Sequence, residues 1–258
     1  MNILIVGYGY VGKAVASIFK KTQLTIIDPK FNNLQIKDFA KNKFDVVFVC
    51  VDTPVNEKFK TLDSSLKKLN RHLKKNTIVC CKSTALPTFY LKAVKRYKNI
   101  KLIYSPEYLS HHSNIKDFQA QTFCILGGEQ NACLKLKSIF LDRLANLKNV
   151  FITNIDTAAF IKYAANSFFA FKITFFNELF EMHKKLKIRS SFNEMRDLLI
   201  KNHSIGESHT QVPGRDGKRG WGGHCLSKDI MELFEITKSN MLKDLIDINK
   251  KHRKININ

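Results

Sequence analysis

The segment Gly220-Trp221-Gly222-Gly223-His224-Cys225-Leu226-Ser227-Lys228-Asp229 sets one thiol inside a glycine-lined, cation-flanked turn. Such a place suits chemistry that passes through a thioester. Glycines lack Cβ, so a substrate carbon can approach the backbone at Gly222 and Gly223. A helix opening at Leu226 would point its unpaired N–H groups at Cys225 and favour the thiolate, and Lys228 adds positive charge. Asp229 follows the thiol by four residues, about one helical turn, within reach of a shared water.

The chain begins with a second chemically informative stretch. An apolar run, Ile3-Leu4-Ile5-Val6, leads into Gly7-Tyr8-Gly9-Tyr10-Val11-Gly12 and then into apolar residues at helical spacing from Lys13 to Phe19. That pattern reads as strand, glycine turn and helix. Gly7 permits the tight turn, Gly9 lets a pyrophosphate meet the backbone, and Gly12 lets the helix pack on its strand. A second apolar run, Leu24-Thr25-Ile26-Ile27, ends at Asp28, where an acid accepts from a ribose 2′-OH. An acid there favours NAD over NADP, while Lys30 pulls slightly the other way.

A third candidate lies on a long helix. Asp156 or Thr157 can cap a helix running to about Lys185, near 45 Å at about 1.5 Å per residue. Lys162 and Asn166 stand four apart on it, so an ammonium and an amide share one face and can converge on a developing oxyanion. A helix this apolar must be buried on most sides, in the core or in a subunit interface.

The elements that position these groups are legible as strand-helix alternation. Apolar β-type runs recur at 45–51, 77–81, 100–104 and 123–126, and amphipathic segments near 64–74, 86–97 and 130–145 separate most of them. This pattern predicts an α/β fold, a Rossmann-type doubly wound parallel sheet, followed by an all-helical domain with a long central helix. The expected division is 1–152 and 153–258. Polar triplets just past the strand ends, Asp52-Thr53-Pro54, Lys82-Ser83-Thr84 and Ser105-Pro106-Glu107, should face one crevice, because the carboxyl edge of such a sheet is its ligand edge.

Composition bounds the rest. With 258 residues, 44% hydrophobic and 25% charged, the chain can bury an ample core. Six cysteines lie mostly in or beside apolar runs with no paired metal-type spacing, which predicts reduced thiols, no metal site and a cytoplasmic location. No cleavage-site pattern and no charge-free membrane-length run occur. The formal charge of +21 is dispersed along solvated helix faces, dense only in Lys250-Lys251-His252-Arg253-Lys254. It therefore predicts attraction of anionic nucleotides rather than specific nucleic-acid binding.

Taken together, the chain resembles the UDP-glucose/GDP-mannose dehydrogenase family. The matching motifs, in the family's order, are Gly7 to Gly12, Asp52-Thr53-Pro54, Lys82-Ser83-Thr84, Ser105-Pro106-Glu107-Tyr108-Leu109, Lys162-Tyr163-Ala164-Ala165-Asn166, Phe176-Asn177-Glu178 and Val212-Pro213-Gly214 through Asp229. The resemblance implies NAD-dependent oxidation of a nucleotide-sugar C6 alcohol to the uronic acid, UDP-glucose to UDP-glucuronate being the expected conversion, with two NAD used per sugar. Cys225 would carry the thiohemiacetal and thioester. Lys162 and Asn166 would stabilise the oxyanion, Asp229 with Thr84 would hold water, and Glu107 would be the base for hydrolysis.

By the same resemblance Gly7, Gly9, Tyr10, Val11, Gly12, Asp28, Lys30, Thr53, Thr84 and Lys228 would hold NAD. Glu107, Tyr108, Leu109, Lys162, Asn166, Arg219, Trp221, Gly222 and Gly223 would line the sugar. It also implies a homodimer formed through the long helix, and a role in polysaccharide biosynthesis. The chain departs from the family pattern at His111, Ser204 and Ser227, and reads as a short form without the family's C-terminal nucleotide-binding domain. Two alternatives accompany this reading: a two-electron hydroxyacid-type dehydrogenase, which has no use for Cys225, and a non-catalytic dinucleotide-binding relative.

Overall fold

The computed structural model describes residues 1–40, 43–109 and 113–254. The chain packs as two units, Met1–Lys162 and Tyr163–Asn258.

In the first unit β1 (Ile3–Val6), β2 (Leu24–Ile27), β3 (Val46–Val49), β4 (Thr77–Cys81), β5 (Ile100–Tyr104), β6 (Phe123–Gly128) and β7 (Asn149–Thr153) form one sheet in the order β2-β1-β3-β4-β5-β6-β7. Its helices are α1 (Tyr10–Ala16), α2 (Lys60–His72), α3 (Pro87–Arg96), α4 (Asn114–Ala120), α5 (Gln130–Arg143) and the start of α6 (Ile155–Lys185). Alternate residues of each strand go to opposite faces. Leu4, Val6, Val47, Val49, Val79 and Leu102 join Leu62, Leu66 and Leu69 of α2 and Tyr90 and Ala93 of α3. Ile3, Ile5, Val46, Phe48, Ile78 and Ile103 join α1, α4 and α5 on the other side. Both faces being covered explains why the strands read as continuous apolar runs.

The sheet is doubly wound, as the sequence predicts, with one addition and one reversal. The edge strand β7, with the apolar run Val150-Phe151-Ile152, lies outside the runs named above. β6 pairs antiparallel with β5, through Ile103 with Gly128 and Tyr104 with Gly127, whereas the other neighbours are parallel. An apolar run carries no direction, so the sequence pattern could not tell β6 from a parallel strand. Strand order changes direction at β1, which pairs with both β2 and β3. Loops leaving β1 and β3 therefore diverge and open a crevice at the carboxyl edge.

The second unit holds the rest of α6, α7 (Phe192–Leu199), α8 (His224–Thr237) and α9 (Asn240–Lys254). Phe176, Phe192 and Val212 form its apolar cluster. α6 reaches 31 residues, starting at Ile155, one residue before the expected cap.

Candidate functional site

The glycine turn is shaped by close backbone contacts. Gly7 has φ +93°, and a Cβ there would lie 2.6 Å from the Cys50 carbonyl oxygen at the end of β3. A Cβ on Gly12 would strike the Gly7 carbonyl, so α1 can close on β1 only without one. Gly9, the position read as facing pyrophosphate, has no neighbour within 4 Å of an added Cβ and opens on clear space at the start of α1.

Beside it lies an open cleft of about 270 Å³, lined by Tyr8, Gly9, Lys13, Asp28, Lys30 and Phe31. Asp28 ties the cleft together: one oxygen accepts from the Tyr8 N–H at 2.6 Å and the other from the Lys30 N–H at 2.7 Å. The rings of Tyr8 and Phe31 meet at 4.9 Å and offer an apolar wall. These features fit a dinucleotide: a carboxylate for ribose hydroxyls, an aromatic wall for a base, and an open glycine for the diphosphate. Tyr10 is exposed, and Val11 packs partly into the core.

The three polar triplets do converge. Thr53 Oγ1 donates to the Thr84 carbonyl at 2.9 Å, joining the ends of β3 and β4. Lys82 Nζ donates to Ser105 Oγ at 2.8 Å and pairs with Glu107 Oε1, joining β4 to β5. Burial opposes the Lys82 charge, but the adjoining Glu107 carboxylate outweighs it and raises the lysine pKa. Next to Glu107, Tyr108 lies under the Lys162 ammonium, 4.6 Å from the ring centroid. Leu109 packs into the second core. His111 lies outside the described residues.

In the second unit α8 opens at His224, two residues earlier than Leu226. Gly223 caps it at φ +83°, so Cys225 is in its first turn. All six cysteines are thiols, and Cys225 is the exposed one. Burial pushes Cys80 up to about 12 and Cys124 and Cys133 to about 11, and Cys50 and Cys81 move the same way. One turn along α8, Asp229 is buried and accepts from Asn166 Nδ2 at 2.5 Å. Lys228, expected beside a cofactor, here lies between two carboxylates, 2.7 Å from Asp229 and 3.2 Å from Glu232. Glu232 also accepts from the Tyr163 hydroxyl at 2.6 Å. Burial raises the Glu232 pKa against the opposing pull of Lys228 and Tyr163.

Of the residues expected to line a substrate, Arg219 and Trp221 are buried and Gly222 is covered by a side chain. Arg219 pairs with Glu181, donates to the Asn177 carbonyl at 3.1 Å, and lies 5.0 Å over the Phe180 ring. Buried beside a carboxylate and an aromatic face, its guanidinium is fully engaged. Trp221 is buried: its N–H donates to Asn249 Oδ1 at 2.7 Å, and its carbonyl accepts from Asn249 Nδ2 at 3.0 Å and Arg253 Nε at 3.0 Å. Gly222 lies against the Arg253 guanidinium, whereas Gly223 opens on clear space. Sequence reasoning missed Lys82, Asn177, Glu232, Asn249 and Arg253. The first two stand inside quoted motifs, and polar residues in otherwise apolar helix faces were the signal for Glu232 and Asn249.

Among the described residues no group of His, Cys, Asp or Glu could hold a metal ion, and no helix is long and apolar enough to cross a membrane.

A doubly wound sheet with a glycine turn at its switch point, followed by a helical unit, defines a dinucleotide-binding α/β protein of the dehydrogenase type. Residues 31–144 match the NAD binding domain of the UDP-glucose/GDP-mannose dehydrogenase family, and residues 156–258 match its central domain. The chain belongs to that family, and the family's NAD binding domain identifies NAD as the cofactor. A UDP-glucose 6-dehydrogenase of Rickettsia typhi is 30% identical over 240 residues, covering 86% of this chain and 52% of that protein. The chain thus spans about half the length of such curated relatives.

Among solved structures, a UDP-glucose dehydrogenase from Pyrobaculum islandicum superposes with TM-score 0.79 at 18% identity, over 97% of this chain and 68% of that one. A 3-hydroxyisobutyrate dehydrogenase from Mycobacterium tuberculosis gives TM-score 0.76 at 15% identity, over 99% of this chain and 96% of that one. At such identities these likenesses establish the fold.

Proposed function

We propose that this chain oxidises the C6 alcohol of a nucleotide sugar, UDP-glucose foremost, to the uronic acid through a thiohemiacetal and a thioester on Cys225. The observation that carries the reading is the exposed thiol in the first turn of α8, one turn from the Asn166–Asp229 hydrogen bond, while four of the other five thiols are buried and the fifth is half-buried. NAD, when bound, supplies the oxidation by accepting one hydride from the alcohol and, as a second molecule, one from the thiohemiacetal. Gly9, Asp28 and the Tyr8–Phe31 wall would hold it.

The aldehyde carbon forms a bond to Cys225 Sγ while the carbonyl oxygen takes a proton, so a reactive aldehyde does not escape between the two oxidations. Lys162 and Asn166 donate to that oxygen as its charge develops. Water then loses a proton to Glu107 and adds to the acyl carbon of the thioester. The C–S bond breaks, its electron pair returns to sulfur, and the uronate leaves. Asp229 and Thr84 orient the water. Trp221, Gly222 and Gly223 line the sugar once the Arg253 side chain moves from Gly222.

The exposed apolar residues Phe160, Phe168, Phe171, Phe175 and Met182 of α6 support a homodimer formed through that helix. The protein acts in the cytoplasm, on the pathway to a polysaccharide. The test is the yield of reduced cofactor per sugar consumed, across UDP-glucose and related nucleotide sugars. Two NADH per sugar is expected. One would point to a two-electron dehydrogenase, and none despite measurable NAD binding to a non-catalytic relative.

A further inference from the structure

Lys82 is a buried charge to which the reaction above gives no task. Lys82 ends β4 with its side chain 1% exposed. Its ammonium is held by Ser105 Oγ at 2.8 Å and by Glu107 Oε1, and lies 5.7 Å and 5.1 Å from the ring centroids of Phe118 and Phe140. Enclosed in this way it reaches neither solvent nor a ligand, so whatever it does it does through Glu107.

The Glu107 carboxylate is itself used unevenly. Oε1 takes the Lys82 bond, and among the described residues Oε2 accepts none. The titratable groups that face the pair are the thiols of Cys50, Cys80 and Cys124, on or beside β3, β4 and β6, and the neighbouring Tyr108 hydroxyl. Burial raises the pKa of each, so all four are neutral near neutral pH, and the cation bonded to this carboxylate is Lys82.

We propose that Lys82 is the positioning residue of the hydrolytic half-reaction: it fixes Oε1 of Glu107 as a carboxylate oxygen and leaves Oε2 to orient water and take its proton. The proposal rests on the role given to Glu107 above. A carboxyl group buried among thiols and phenyl rings takes up a proton when its cation is removed, and a protonated carboxyl cannot act as a base.

The experiment compares the full chain with Lys82→Met, Lys82→Arg, Glu107→Gln and the double variant Lys82→Met/Glu107→Gln, by the pH profile of uronate formation and by carboxyl infrared difference spectra. Lys82→Met should lose most of the uronate rate at neutral pH, regain it by up to about tenfold per pH unit as pH rises, and keep KM for the sugar within about twofold, since below a base's pKa its ionised fraction changes about tenfold per pH unit. Lys82→Arg, which keeps the cation, should restore most of the neutral rate. An acid C=O stretch should appear in Lys82→Met and be absent from both the native chain and the double variant.

A folded Lys82→Met with the native pH profile and no acid band overturns the proposal. If that variant does not fold, the difference between the native chain and Glu107→Gln decides: a Glu107 acid band at neutral pH in the native chain is equally fatal. Failure to form uronate from any nucleotide sugar would count against the dehydrogenase reading alone, because the spectra test the hold of Lys82 on Glu107 without turnover.

Discussion

Asn249 offers the sharpest test of how the glycine loop is held. This α9 side chain is nine-tenths buried and makes both backbone bonds of Trp221, accepting from its N–H at 2.7 Å and donating to its carbonyl at 3.0 Å. Asn249→Ala removes two hydrogen bonds worth about 1 kcal/mol each and strands a buried N–H at a further cost of about 1–3 kcal/mol; partial relaxation of the loop puts the expected loss near 2–4 kcal/mol. The Trp221 carbonyl retains Arg253, so only its N–H is orphaned.

Trp221 is the chain's one tryptophan, so its emission reports on this loop alone. Urea unfolding followed by fluorescence should show the lower midpoint with an unchanged slope, and native emission should shift to the red as the indole is wetted. Asn249→Asp keeps the acceptor for the Trp221 N–H and should cost less than Asn249→Ala. An Asn249→Ala variant that loses under about 0.5 kcal/mol, with native emission, would refute this account of the loop, since that is below the worth of one net hydrogen bond.

Other outcomes follow from the same geometry. Under brief alkylation at neutral pH, Cys225 should be modified first, with Cys80, Cys81, Cys124 and Cys133 reacting only on unfolding; peptide mass spectrometry finding one of those four labelled earlier would contradict the burial described. Gly9→Ala should leave the melting temperature nearly unchanged yet weaken NAD binding at least about tenfold, because only a ligand occupies the space above Gly9. Gly12→Ala should instead destabilise the fold by about 1–3 kcal/mol or more, because its Cβ meets backbone; equal effects of the two would remove the distinction. The raised pKa of Glu232 means the folded state binds more protons than the unfolded one just above the ordinary 4.5. Stability from this group is therefore present at lower pH and lost as pH rises through the folded value, and Glu232→Gln should flatten that slope in pH-dependent unfolding.

The sheet and the glycine turn were legible because strands covered on both faces must be apolar throughout, and because Gly7 and Gly12 occupy places where backbone contact forbids a side chain. The edge strand Asn149–Thr153 was not, since its apolar run is only three residues long, Val150-Phe151-Ile152, and stands directly before the long helix. Nor were the partners of Lys82, Arg219 and Asn249. Each pair joins residues more than twenty positions apart, and nothing local distinguishes Lys82 paired with Glu107 from a solvated lysine. The inward turn of Trp221 has the same origin: Gly220 to Gly223 announce a loop of close approaches, but only the fold decides that α9 makes one of them.

The reversal of β6 has an architectural result. It meets β5 only at Ile103 and Tyr104, so Phe123 to Leu126 continue past the parallel strands, roughly 13 Å at about 3.3 Å per residue. The ring of Phe123 stands 6.3 Å from that of Tyr108. This overhang, backed by β7, is a parapet along one flank of the ledge where Glu107 sits. Raising or lowering it by a residue pair would change how deeply that carboxylate is sheltered from bulk water while the five parallel strands keep their register.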